Sequence, residues 1–488
     1  MAPTPNRNRD QDLFATGSNK PISRRRFLKS AAFAASAAIL AACGGTPAGQ
    51  SASTPSQAQP AGSPAPAAAA TAPAASGAVQ IHISYPDEAG KKPKYVDAAA
   101  ADFNKAHTDG QAVVDLQKID SDSYYTKLLL ALGTDSAPDV FHVSGGKIAE
   151  LADGNLIAPL DDYLKKWDGW QHYPDAIKAG ATYKGKVWAI PYGLDTRFLY
   201  YRKDVFQQAG LPQDWQPKKV QDIIDAAKAV QAKVTNVIPY VLYGGAAGSG
   251  GTISHGFLPL VWAYGGELQN KDGKWIGSSP AILKALQYYQ EVFVTDKLVP
   301  AEVLTLPKPW TTMREKLGKG ELAMLFEGGW VRGGWTSQSS EAQVTQTVGT
   351  NLFPYDNGSG TFTVGGLGTC WFIADKSQHK DLAWDFIARW NNPDTVAKLN
   401  LEDPHPVART DAAEVPEFKQ NAYLTMATQS LEKAKFEPMS SNYAKVQTAI
   451  QQMTGRVASG ESPAEQAMLQ FVDDLKQAVG DSEVVTQS

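Results

Sequence analysis

The chain has 488 residues, 43% of them hydrophobic and 20% charged, with a formal net charge of −4. Beyond its first thirty residues it has no Lys/Arg runs, which makes it a poor candidate for binding nucleic acid or anionic lipid by charge. Cys43 and Cys370 are the only cysteines, so no internal disulfide framework is expected and stability must come from packing.

Ser23-Arg24-Arg25-Arg26-Phe27-Leu28-Lys29 is a twin-arginine export motif. The alanine-rich run behind it is too short to span a bilayer, which needs about 20 apolar residues. It ends in Leu40-Ala41-Ala42-Cys43, a lipoprotein cleavage box, so residues 1–42 read as a signal peptide and Cys43 as the lipidation site. Acyl chains on that cysteine would hold the protein at the outer face of the cytoplasmic membrane. Cleavage removes seven Lys/Arg and two Asp and moves the formal charge from −4 to −9. Residues 43–78 carry no charge and consist mostly of Ala, Pro, Ser, Gly, Thr and Gln. Such a segment cannot offset its ordering entropy by burial. It reads as a disordered leash reaching on the order of 30 Å.

Folded sequence begins at Val79-Gln80-Ile81-His82-Ile83-Ser84-Tyr85, whose period-two alternation predicts a strand. Lys94–His107 follows as a helix with Val96, Ala99, Ala100 and Phe103 on one face, then a strand over Gln111–Ile119 and a helix over Ser123–Leu132. Pro138–Val143 predicts a third strand running into Ser144-Gly145-Gly146. This alternation argues for an α/β fold with a parallel sheet covered by helices. Ligands in such sheets bind beyond the carboxyl ends of the strands, which selects the loops at Asp87-Glu88, Asp120–Asp122 and Ser144-Gly145.

Further along, Arg197–Tyr201 and Leu322–Phe326 read as strands, and Val220–Ala232 and Ala281–Val294 as helices. Two late helices carry Val446, Ile450, Met453, Val457 and Met468, Val472, Leu475, Val479 at helical spacing. About 410 residues follow the leash, more than one core usually supports, so two lobes are expected.

The sequence has no His-Glu-x-x-His, no Cys-x-x-Cys, no Gly-x-Ser-x-Gly and no phosphate loop ending in Gly-Lys-Ser/Thr. The seven histidines show no metal-ligand spacing, and neither a metal nor a cofactor is expected. The glycine-rich run Gly244–Gly251 reads as a loop that either stays mobile or lets backbone approach a ligand.

Aromatics are plentiful, with 12 Trp and 18 Tyr. A sugar presents an apolar C–H face and a rim of hydroxyls, so its site wants flat rings and charged hydrogen-bonding groups. Glu327-Gly328-Gly329-Trp330, Asp195-Thr196-Arg197 and Ser254-His255 have that mixture. Trp262, Trp384 and Trp390 lie in helical patterns and read as core, and Asp195 with Arg197 also suits a plain surface ion pair.

Eight segments taken in order resemble the extracellular solute-binding proteins of carbohydrate ABC importers, the group that includes maltodextrin-binding protein. They are Ala137–Phe141; Ile148–Leu151 with Gly154–Leu160; Ile190–Gly193 with Leu199–Asp204; Trp262–Gly266; Gly318–Met324; and Lys380–Phe386. The resemblance implies two hinged lobes, residues 79–193 plus 364–404 and residues 194–363 plus 405–488. Chain crossings fall near Pro191–Thr196, Thr361–Gly366 and Glu402–Thr410. It implies sugar contacts at Asp87, Glu88, Ser144, Gly145, Asp195, His255, Trp330, Gly365, Gly366 and Tyr443, to which the mixture of rings and charges adds Arg197 and Glu327. It further implies a monomer that captures a sugar by cleft closure and delivers it to the permease subunits of an ABC transporter. Leu367 stands where many relatives have tryptophan, and the Ser144 loop lacks an aromatic, so the sugar itself is not specified. An exported glycoside hydrolase using Asp195 and Glu327 is the competing reading. Polyamine, peptide or metal-complex cargo is another.

Overall fold

The computed structural model describes residues 78–87 and 90–487. The export motif, Cys43, the leash and Glu88 lie outside the described residues. The strands that position the site are, in chain order, β1 (Val79–Pro86), β2 (Gly110–Gln117), β3 (Val140–Ser144), β4 (Ile190–Asp195), β5 (Arg197–Arg202), β6 (Met324–Gly328), β7 (Val348–Asn351), β8 (Thr361–Ile373) and β9 (Ala434–Phe436). The helices that position the site are α1 (Pro93–Ala106), α2 (Ser121–Leu132), α3 (Ile148–Asp153), α4 (Asp175–Gly180), α5 (Pro309–Lys319), α6 (Tyr443–Ala458) and α7 (Ala464–Val479).

The first sheet runs β2-β1-β3-β8, with β4 on the far side of β8. Its first three strands are parallel, as alternation with helices requires, whereas β8 runs antiparallel to both of its neighbours, β3 and β4. The expected parallel sheet is therefore mixed, because β8 returns from a distant part of the chain instead of through a local crossover. The buried positions of α1 are Val96, Ala99, Ala100 and Phe103, the face its spacing predicts. Phe141 stacks on Phe372 at 5.5 Å across the β3–β8 pair. Trp371 and Trp390 pack at 5.3 Å behind it. The second sheet, β7-β5-β6, is antiparallel throughout. Trp262 and Trp390 are core, as their helical spacing implies, whereas Trp384 is half-buried and stacks on Tyr163 at 5.2 Å.

Three segments of chain lie side by side between the two sheets. β4 turns through Thr196 into β5, so one extended run serves both sheets. β8 does the same. Its residues 369–373 pair with β3, and residues 363–365 pair in parallel with β9. The two runs are clasped where they pass: Arg197 N–H donates to Thr363 Oγ1 (2.9 Å), which donates back to the Arg197 carbonyl (2.8 Å). The third segment joins through Leu194 N–H to the Pro406 carbonyl (2.7 Å). At Gly368 the backbone has φ +56°, and a Cβ there would sit 2.0 Å from the Gly193 carbonyl oxygen. Only glycine permits that approach.

Candidate functional site

A cavity of about 570 Å³ lies between the two sheets, against the first two crossings. One wall comes from the first sheet: Ser144 and Gly145 at the end of β3, then Lys147, Glu150 of α3 and Ala176, Ala179 of α4. The crossings supply Asp195, Arg197 and Gly365–Gly368, and the opposite wall is Gly250, Ser254, Phe436–Ser440, Tyr443 and Gln447. Two other grooves, of about 740 and 620 Å³, share Gln216, Thr350, Asn351 and Met426 along the edge of the second sheet; neither contains Ser144, Gly145, Asp195 or Arg197.

Of the sequence-selected residues, Ser144, Gly145, Asp195, Arg197, Gly365, Gly366 and Tyr443 come together here. Gly145 is required by packing, because a Cβ there would lie 2.5 Å from the Leu367 Cβ. Gly366 sits opposite Asp195 and Gly365 opposite Phe436 in their strand pairs. Arg197 is nearly buried: Nη1 donates to the Val364 carbonyl (3.1 Å), Nη2 lies 3.7 Å from Asp195 Oδ2, and the guanidinium sits 5.6 Å over the Trp330 ring.

The other selected residues lie elsewhere. Asp87 accepts from the Gly90 and Lys92 N–H groups (3.0 and 2.8 Å), so its carboxylate shapes the turn after β1 instead of lining the cavity. Glu327, at the end of β6, is fully buried. Its carboxylate accepts from Arg314 Nε (3.0 Å), Tyr243 Oη (3.2 Å) and the Gly328 N–H (2.8 Å). Trp330 and His255 stand one layer behind the cavity. The indole stacks on His405 of the third crossing at 5.4 Å and 12° and meets His255 at 6.3 Å. Near that indole several buried polar atoms make no hydrogen bond among the described residues: Arg197 Nε, Thr196 Oγ1 and His255 Nδ1, while His255 Nε2 lies 3.3 Å from Glu327 Oε1 without hydrogen-bond geometry. Unsatisfied buried groups on this scale call for a ligand or ordered water.

Charge in this region follows from burial and neighbours. Burial alone would raise the Glu327 carboxyl, but Arg314, His255 and the Gly328 N–H outweigh it and hold it down at about 2. Burial lowers His255 to about 3 despite Glu327, with Arg197 and Arg314 adding to the drop, so the ring is neutral at neutral pH. The ordinary value for Glu327 is 4.5, so its stabilisation is complete above that pH and is lost as pH falls toward about 2. Urea titrations at stepped pH are expected to show the midpoint dropping below pH 4.5 in the wild type. The drop should be smaller in Glu327→Gln, which has no carboxyl to protonate.

Sequence reasoning missed Glu437, Lys147, Glu150 and Gln447. Glu437 is half-buried and accepts from Tyr443 Oη at 2.8 Å. Burial pushes its carboxyl up, Asp195 adds to that, and Arg197 and Tyr443 oppose it. The signal was faint: Glu437 lies two residues before the Met439–Tyr443 turn already singled out, but nothing local brings that turn to β8. Lys147 Nζ lies 3.6 Å from Glu150 Oε2 and 4.4 Å from the Tyr125 ring centroid. Cys370 is buried, and burial raises its thiol well above the usual range, which makes it unreactive. Among the described residues no cluster of His, Cys, Asp or Glu could hold a metal. Polar groups of both signs, an apolar wall of Leu367, Phe436 and Met439, and the absence of an activated nucleophile suit reversible binding of a small polar molecule.

The sequence model of a family described as bacterial extracellular solute-binding protein matches residues 85–397. A putative binding protein of Brucella abortus is 21% identical over 372 residues, covering 75% of this chain and 85% of that protein. The lactose-binding protein of Rhizobium radiobacter is 25% identical over 298 residues, covering 59% of this chain and 65% of its own length. Among solved structures, an ABC transporter solute-binding protein of Thermotoga lettingae bound with α-D-tagatose superposes with a TM-score of 0.71. It is 23% identical, with 83% of this chain and 100% of that one covered. The likeness establishes a two-lobed, hinged α/β fold.

Proposed function

We propose, from the premise that the chain belongs to the bacterial extracellular solute-binding proteins, that it captures a sugar or oligosaccharide by cleft closure and delivers it to the permease of an ABC importer. The chain is an exported binding protein and not an enzyme. Glu327, one of the two carboxylates a glycoside hydrolase would need, is locked to Arg314 out of reach of the cavity. The observation that carries the reading is one cavity walled from both sheets, with Asp195 and Arg197 at the crossings and partnerless donors behind them around Trp330. A polyol bonded to Ser144 and Gly145 on one side, to the crossings, and to Glu437 and Tyr443 on the other would tie the lobes together. The closed state then gains by its differential affinity for the ligand. Gly365 and Gly366 let that ligand approach backbone, while Trp330 and His255 lie where a longer sugar would reach. Relatives named for lactose and bound with tagatose support a carbohydrate.

The lobes are proposed as residues 79–193 plus 364–404 and residues 194–363 plus 405–488. The protein is proposed to act as a monomer, lipid-anchored through Cys43 to the outer face of the cytoplasmic membrane. Cys43→Ser is expected to move it from the membrane pellet to the soluble extracytoplasmic fraction; a variant that still sediments with membranes counts against the anchor.

Isothermal titration against mono- and oligosaccharides tests the function. At least one is expected to bind with a Kd at or below about 10 µM, on the order of −7 kcal/mol. No heat and no thermal shift across the panel would overturn the proposal. Cationic cargo is the second reading, favoured by Glu437, which makes no ion pair among the described residues while Asp195 and Glu150 already face Arg197 and Lys147. Spermidine in the same titration separates the two.

A further inference from the structure

Two polar contacts outside the cavity join the lobes along one rim of the cleft. Lys308 Nζ lies 3.2 Å from Asp120 Oδ2, and Ser249 Oγ donates to Asp122 Oδ2 at 3.4 Å. Both acids belong to the start of α2, where Asp120 also caps the helix by accepting from the Ser123 N–H (2.9 Å). That helix is fixed to the first sheet through Tyr124 Oη and the Ser84 carbonyl (2.9 Å). On the other side, Gln451 of α6 donates to the Ser249 carbonyl (2.9 Å), and α5, which follows Lys308, is fixed to β6 by the Arg314–Glu327 pair. Each contact residue is therefore held from its own lobe.

The backbone at this rim is strained. Six non-glycine residues among those described have left-handed φ, and two of them are Ser249 (48°) and Lys308 (50°). Ser249 combines this with ψ −136°, a conformation normally left to glycine. Such geometry persists where the surroundings impose it, and these two residues face the opposite lobe.

None of the four residues lines the cavity. They can change ligand affinity only through the balance of open and closed states. We propose that Asp120–Lys308 and Asp122–Ser249 form a rim latch of positioning residues that sets how much ligand-free protein is closed, and with it the apparent affinity for any ligand. This rests on the reading of the chain as a cleft-closing binding protein. The ion pair is partly exposed, with 45% of the Lys308 side chain and 28% of the Asp120 side chain accessible, so salt screens it.

The test needs no ligand. Spin labels at Leu130 and Val294, exposed on opposite lobes, report the interlobe distance by double electron–electron resonance. The full-length chain is used with Cys43→Ser, and buried Cys370 stays unlabelled. Wild type is expected to show a closed population that shrinks between about 20 and 500 mM salt, as the Debye length falls severalfold. Lys308→Met and Asp120→Asn should each lower the closed-to-open ratio about two- to fivefold, the worth of an exposed ion pair, and flatten its salt dependence. Asparagine keeps the helix cap, so Asp120→Asn isolates the charge. Lys297→Met, which removes an exposed lysine of the same lobe with left-handed backbone, should change neither quantity. The latch is overturned if wild type has no closed population, if Lys308→Met superimposes on it, or if the salt dependence survives in both charge variants. Sugar binding with an unchanged Lys308→Met distribution would sink the latch and leave the function. A responsive latch with no sugar bound would do the reverse.

Discussion

Arg314→Met is expected to destabilise the protein by about 3–5 kcal/mol, because it strands an ionised carboxylate in the interior. Glu327 has no exposed surface, and Arg314 is the only cation within ion-pair distance among the described residues apart from neutral His255. The N–H of Gly328 and the hydroxyl of Tyr243 satisfy two lone pairs without supplying charge. In the variant the carboxyl should take up a proton instead of staying ionised, so the variant becomes relatively more stable as pH falls through the range where wild type weakens. Adding Glu327→Gln should recover most of the loss, to within about 1 kcal/mol, because no charge then remains to be buried. Urea denaturation of the single and double variants measures this. Equal stability of Arg314→Met and wild type at neutral pH would show that the pair is not a structural anchor.

Glu437→Gln is expected to move stability and binding in opposite directions. The carboxyl is pushed up by burial and by Asp195, so carrying its charge at neutral pH works against the folded state. Glutamine still accepts from Tyr443 and removes that penalty, so the melting temperature of the ligand-free protein should rise slightly. A hydrogen bond from a ligand hydroxyl to a charged acceptor is worth about 1.5–3 kcal/mol, so affinity should fall about 10- to 150-fold. Thermal melting without ligand and calorimetry with the tightest-binding sugar of the panel read the two effects separately. Unchanged affinity would remove Glu437 from the binding surface.

Local pattern carried much of the fold. The alternation at Val79–Tyr85 is β1, and the helical spacing at Val96–Phe103 and at Val446–Val457 marks the buried faces of α1 and α6. Ends shifted by one to four residues: α2 begins at Ser121 because Asp120 caps it, and the helix read to Val294 ends at Gln290 and passes into a wider turn. Strand direction was not legible beyond β3, because no local signal says that residues 369–373 return to lie antiparallel beside 140–144. The site divides along the same line. Ser144 and Gly145 follow from strand ends, and Asp195, Arg197, Gly365 and Gly366 stand where the chain passes between sheets. Glu437 enters the cavity through the parallel pairing of β9 on β8, a contact made far along the chain. Glu327 and Trp330 had the right composition, but Arg314 and His405 engage them, and a linear sequence does not show which neighbour arrives.

The placement of β8 also fixes an order of events during synthesis. The half of the molecule that emerges first from the ribosome cannot be finished until Thr361–Ile373 has been made, because β3, already paired with β1, takes its second neighbour from that strand and β4 its ladder partner. Until then β3 presents a bare edge of unpaired amides and carbonyls, the feature that invites association between nascent chains. The last-made helices, α6 and α7, which pack against each other, follow that strand in the chain. A stalled or truncated chain ending before Thr361 would therefore be a sticky fragment, and the two halves are not separable units that could be produced alone and mixed.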